Sequence, residues 1–100
     1  MGLQINIPED KITDFCQRHR IRKLSLFGSV LREDFSPESD IDVLVEFEPG
    51  APVGMITLAG MEIELSKILG HKVEMHTLKG LNPHFRDEVL DHAEVQYEQA

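Results

Sequence analysis

The chain has 100 residues, of which 41% are hydrophobic and 28% charged, one domain's worth of sequence (residues 1–100) with an ordinary globular balance that excludes collagen-like, coiled-coil and disordered classes. Eighteen acidic residues against ten basic ones give a net charge of -8, a sign that disfavours a surface built for non-specific nucleic-acid or anionic-membrane binding. The one cysteine, Cys16, closes no internal disulfide, and neither a membrane-length apolar run nor a secretory pattern in MGLQINIPEDK is visible, so a reduced, soluble, cytoplasmic protein is expected.

Pro8 suits a first helical turn, and Ile12, Phe15 and Cys16 share one helix face, predicting a helix from about Pro8 to His19. A basic cluster follows, Arg18, Arg20, Arg22 and Lys23, which either receives phosphate or, as expected here, is a solvated helix end. Leu24-Ser25-Leu26-Phe27 alternates as a short strand, which Gly28-Ser29 ends, and a short helix is expected from Val30 to about Glu33. Asp34 to Ser39 is turn chemistry, and Asp40 to Phe47 is a strand rich in β-branched residues. After Pro49-Gly50-Ala51-Pro52, the segment Val53 to Leu69 has a helical period. Its apolar residues cover more than half the circumference, so it wants cover on more than one side, and Met55 and Met61 are expected to fill the core or an interface. Gly70 fits its C-terminal cap. Lys72 to His76 alternates as a third strand, Asn82-Pro83 begins a last helix to about His92, and an extended stretch through Val95 and Tyr97 is expected at the end. Such alternation means α/β, a small sheet covered by helices.

Asp40 and Asp42 are the sharpest chemical feature. Two residues apart on a strand, they send both carboxylates to one face while Ile41 and Val43 go to the other. The pair is either an acidic strand edge that resists aggregation or a seat for a cation such as Mg²⁺, which takes a few carboxylate oxygens together with phosphates and water. Gly28-Ser29 is either a common turn or a place where backbone approaches phosphate at a helix start. Together the two elements read Gly-Ser, ten residues, Asp-x-Asp, a constellation expected by chance in roughly one such sequence in several hundred.

Those residues, Gly28-Ser29-Val30-Leu31-Arg32 through Ser39-Asp40-Ile41-Asp42-Val43-Leu44-Val45, resemble the signature of the minimal nucleotidyltransferases of the DNA polymerase β-like superfamily. The resemblance covers nearly the whole chain and implies that fold, a short mixed sheet flanked by helices. It implies that Gly28, Ser29, Arg32 and Ser39 hold a nucleoside triphosphate, ATP, and that Asp40 and Asp42 bind one or two Mg²⁺ ions. It further implies a third carboxylate on the next strand, usually an Asp after a Val; here Val73-Glu74 stands in that place, and Glu74 would help bind metal and act as a base. Glu74 is one methylene longer than the usual residue, and an exposed strand glutamate is the alternative. Arg32 either neutralises triphosphate or pairs with nearby acids. His76 follows Glu74 by two residues on the same strand face, where it lines the site or is simply a polar neighbour.

Larger relatives of this kind carry an added helical domain for the acceptor, so an acceptor bound mostly outside this fold is expected. The apolar Val53 to Leu69 helix is a candidate surface for a second protein or a second copy. The chain resembles the MntA-type antitoxins, which implies AMP transfer from ATP to a tyrosine of a HEPN-type ribonuclease toxin. Two other classes remain: a binding module that masks a partner sterically, suggested by the unusual Glu74, and a small-molecule or RNA nucleotidyltransferase.

Overall fold

Residues 7–28, 40–51 and 53–99 are described by the computed structural model of the chain. Among them the elements run α1 (Glu9–Arg18), β1 (Ile21–Phe27), β2 (Ile41–Phe47), α2 (Met55–Leu69), β3 (Val73–Thr77), α3 (Pro83–His92) and β4 (Glu94–Glu98). The short helix expected from Val30 and the turn through Asp34–Ser39 lie outside the described residues.

The four strands form one mixed sheet in the order β3-β2-β1-β4. β1 is antiparallel to both β2 and β4, whereas β2 and β3 are parallel, so α2 serves as their crossover. Strand alternation then sorts the side chains. Ile41, Val43 and Val45 of β2 and Val73 and Met75 of β3 go to one face, joined there by Leu24 and Leu26 of β1. Ile21 reaches the same face in spite of its odd spacing because a register shift between Ile21 and Lys23 adds a residue. Against this face pack Ile12, Phe15 and Cys16 of α1, spaced three and four apart, and Met61, Leu65 and Leu69 of α2, one turn apart each. Burial pushes the Cys16 thiol up to about 12, which keeps it protonated and unreactive.

α2 is apolar beyond this stripe. Met61 is buried, but Met55 is 88% exposed, Ile56 90% and Ile63 61%. The second cover that its composition demands is not supplied by any described residue of the chain. Its C-terminus ends as expected on Gly70, in the left-handed region at φ 74°. α3 opens on Asn82, whose side-chain oxygen accepts from the His84 N–H at 2.9 Å, with Pro83 in the first turn.

The basic cluster is not a simple helix end. Arg20 makes the turn at φ 57°, and β1 begins at Ile21, so Arg22 and Lys23 lie on a strand. Arg20 pairs with Glu48, Arg22 with Glu46 at 3.0 Å and Lys23 with Glu98 at 3.9 Å. Cross-strand charge pairs of this kind support the register of β1 between its acidic neighbours. α1 and α2 are tied in the same way: Glu64 accepts from Arg18 and contacts His19 Nε2 at 2.9 Å, and those bonds hold its carboxyl below the usual carboxylate range.

Glu64→Gln is expected to lower stability by about 1 kcal/mol at neutral pH. Because the folded-state pKa of Glu64 is depressed, its contribution is complete above the ordinary carboxylate range and is lost as the pH falls through the folded-state value. Urea melts of wild type and variant should therefore converge in acid; an undiminished gap there would contradict the assignment.

Candidate active site

The face of the sheet opposite the core carries the polar residues. In the parallel pair Asp42 of β2 stands directly beside Glu74 of β3, and in the antiparallel pair Asp42 stands beside Phe27 of β1. Phe27, Asp42 and Glu74 thus form one row across three strands. The next row along is Ser25, Leu44 and His76. Since Glu74 and His76 are two apart on β3, both point to the face that Asp42 occupies.

Three ligand-type atoms meet at this corner. His76 Nε2 lies 3.2 Å from Asp42 Oδ1 and 4.0 Å from Glu74 Oε2. One ligand atom from each of Asp42, Glu74 and His76 falls within 4.8 Å of the others. The His76 ring packs edge-on against Phe27, with centroids 5.3 Å apart and planes at 60°, a favourable aromatic geometry that limits where the imidazole can turn. Asp40, half-buried one residue before β2, stands outside this trio.

Gly28 closes the other side. It follows β1 with φ 80°, and a Cβ at this position would fall 2.5 Å from Asp42 Oδ2. Any other residue there meets both a left-handed backbone and a clash with the carboxylate. Asp42 Oδ2 packs where that side chain would stand, so Gly28 flanks the carboxylate on one side and His76 on the other. Ser29, Arg32 and Ser39, the remaining residues expected at a nucleotide, lie outside the described residues.

Glu74 sits on an edge strand, yet its backbone is fixed. Ser66 Oγ of α2 accepts the Val73 N–H at 3.0 Å, and Glu62 Oε2 accepts the Met75 N–H at 2.7 Å. These helix side chains take up the outward donors on either side of Glu74, while the ladder to β2 takes the inward ones. The carboxylate itself is 49% exposed, accessible to a bound molecule.

A cation fits this donor set on two observations: two carboxylates face each other with an imidazole nitrogen within 4.0 Å of both, and the Glu74 side chain is half exposed. Of the two readings that the Glu-x-His spacing leaves open for His76, a residue lining the site or a polar neighbour, its contacts with Asp42 and Glu74 favour the first.

A family model described as a nucleotidyltransferase domain matches residues 9–95. A candidate protein adenylyltransferase of Methanocaldococcus jannaschii is 33% identical over 91 residues, covering 91% of this chain and 96% of the relative. Among solved structures, a toxin–antitoxin assembly with AMP-PNP superposes with a TM-score of 0.75 at 19% identity, covering 93% of this chain and 75% of that one. A complex of a tri-AMPylated Shewanella oneidensis HEPN toxin with an MNT antitoxin superposes with a TM-score of 0.61 at 18% identity, covering 91% and 70%. At such identities the two structures establish the likeness of fold, an α/β domain whose described residues form three helices and four strands.

Gly28→Ala is expected to cost about 1–2 kcal/mol from backbone strain alone, and more through the clash with Asp42. Combining it with Asp42→Ala should recover part of the loss, with a coupling of at least about 0.5 kcal/mol in a denaturation cycle. Strict additivity would mean that the glycine serves only the turn.

Proposed function

The chain belongs to the nucleotidyltransferase domain family, and from that premise we propose that it is a Mg²⁺-dependent protein adenylyltransferase, transferring AMP from ATP to a tyrosine of a HEPN-type toxin and so neutralising it. The observation that carries this reading is the pair of facing carboxylates, Asp42 and Glu74, with Gly28 packed against the one and His76 reaching both. The protein-adenylyltransferase name of the archaeal relative supports the reaction class. The toxin–antitoxin neighbours, one of them with a tri-AMPylated HEPN toxin, support the partner.

The backbone at Gly28 and Ser29, with Arg32 and Ser39, holds the triphosphate, and Asp40, Asp42 and Glu74 hold one or two Mg²⁺ ions. When bound, divalent cations at such a site neutralise triphosphate charge and stabilise the attacking and leaving oxygens of an in-line displacement. The protein's own part is to position and to accept a proton. Glu74, anchored through its neighbours Val73 and Met75 and open to solvent, takes the proton of the acceptor hydroxyl. The hydroxyl oxygen bonds to the α-phosphorus as the bond from that phosphorus to the oxygen bridging to the β-phosphate breaks. Diphosphate leaves, and the acceptor keeps AMP.

The exposed apolar side of α2, with Met55, Ile56 and Ile63, supports a protein acceptor docked on the surface. Isolated exposed apolar side chains are ordinary, but three on one helix whose other stripe already fills the core form a surface that a partner can bury.

Purified chain, α-labelled ATP, Mg²⁺ and the HEPN partner should give label on the partner, lost when its acceptor tyrosine is replaced by phenylalanine. Glu74→Gln should slow transfer by about a hundredfold or more while leaving ATP affinity within about threefold; full activity would remove Glu74 from the reaction. Complex formation without any label would replace transfer by steric masking, and transfer to RNA or a small molecule without the partner would revive that alternative. Ile56→Asp combined with Ile63→Asp should weaken the complex by about tenfold or more and leave ATP binding unaltered; an unchanged complex would place the partner on another face.

A further inference from the structure

Asp42 and Glu74 are accounted for by the metal site of the proposed reaction, on which the following inference rests, but His76 is not. Its Nε2, the ring nitrogen farther from the backbone, faces the two carboxylates, at 3.2 Å from Asp42 Oδ1 and 4.0 Å from Glu74 Oε2. Two ligands bound to one small divalent ion at about 2.1 Å lie about 3 Å apart when adjacent and about 4.2 Å apart when opposite. With the two carboxylate oxygens opposite each other, the Asp42–Nε2 pair already stands near the adjacent spacing, and the Glu74–Nε2 pair reaches it by closing about 1 Å. All three ligand atoms lie within 4.8 Å of one another, so closing them on one ion needs a carboxylate shift of under about 1 Å at the widest pair. Facing carboxylates without a cation stand apart through their mutual repulsion, which makes this direction of closure the expected one.

The ring is also held in place. Phe27 packs on it edge-on, and its strand neighbours Met75 and Thr77 are fixed by the β2–β3 ladder. A neutral imidazole presents either an N–H or, in its other tautomer, a lone pair at Nε2. The N–H form donates to Asp42; the lone-pair form is a metal ligand.

We propose that His76 Nε2 is a ligand of the metal site, completing a mixed Asp42–Glu74–His76 set that binds a first-row transition ion, with Mn²⁺ as the representative, more tightly than Mg²⁺. The selectivity follows from ligand type. Mg²⁺ is a hard ion that favours oxygen donors, and an imidazole nitrogen favours first-row transition ions, while carboxylates still suit Mn²⁺. His76 is therefore a specificity-determining residue for the metal that loads with the nucleotide. Removing it leaves an all-oxygen site better matched to Mg²⁺.

The test uses the full chain labelled with ¹⁵N only at histidine, beside unlabelled chain, each loaded with Mn²⁺ and a non-hydrolysable ATP analogue. Pulsed electron paramagnetic resonance of unlabelled protein should show ¹⁴N coupling to the bound Mn²⁺, replaced by ¹⁵N coupling in the labelled protein and abolished in His76→Ala. In calorimetric titrations Mn²⁺ should bind at least about tenfold more tightly than Mg²⁺, and the ratio should fall about tenfold in the variant as Mn²⁺ affinity drops. His76→Gln, which keeps a polar side chain beside Phe27, should show the same loss of nitrogen coupling if the alanine variant is poorly folded. Mn²⁺ bound without histidine nitrogen coupling, or a metal preference that survives both substitutions, would overturn the assignment of His76 and leave the nucleotidyltransferase reading standing. Absence of any divalent-ion binding in the presence of the nucleotide analogue would overturn both.

Discussion

Two like charges directly opposite one another on adjacent strands are the constraint around which this small fold is arranged. At up to 4.8 Å apart, the carboxylates of Asp42 and Glu74 repel by roughly 1 kcal/mol at the dielectric of water and about 3 kcal/mol at that of a protein surface. A sheet built only for stability would place an apolar or oppositely charged pair there. The chain instead concentrates its stability on the other face. Ile41, Val43, Val73 and Met75 alternate with the site residues and are buried beneath α1 and α2, and the side chains of Glu62 and Ser66 fix the outer edge of β3. The core residues and the site residues are thus the odd and even members of the same two strands. A one-residue slip of β3 against β2 would disrupt both.

The acidic excess acquires a geography from this arrangement. Seven of the eighteen acids fall between Glu33 and Glu48, a stretch that from composition alone reads as a single negative field next to the site. The strand separates its ends. Glu46 and Glu48 lie four and six residues beyond Asp42, about 13 Å or more away along an extended chain, and they are matched by Arg22 and Arg20. Asp42 is matched among the described residues only by His76. Asp42 and Glu74 thus differ from Glu46 and Glu48 in having no Arg or Lys partner among the described residues.

Much of this was legible in the chain before its coordinates. Helices announced by three-and-four spacing at Ile12, Phe15 and Cys16 and by the Asn82-Pro83 cap occur where those signals stand, and Asp40 to Phe47 and Lys72 to His76 form strands with ends within a residue. The start of β1 was obscured because Arg20, Arg22 and Lys23 look like a solvated helix end; their partners, Glu46 on β2, Glu48 just after it and Glu98 on β4, are far away in sequence. The partnership of Asp42 with Glu74 likewise depends on a parallel crossover through α2, and His76 gains meaning only once both carboxylates and Phe27 surround it. α2 shows the reverse case. Its excess of apolar residues was plain from composition, and the fold accounts for one stripe only, leaving Met55, Ile56 and Ile63 exposed.

In the proposed reaction the facing carboxylates are a cation seat through which nucleotide binds. Equilibrium titration of ATP into the full chain, with saturating divalent ion and then with EDTA, tests it most directly. Affinity should fall by about tenfold or more when the divalent ion is removed, because bare triphosphate then meets two carboxylates with no cation between them. ATP binding that is equally tight in EDTA would contradict it.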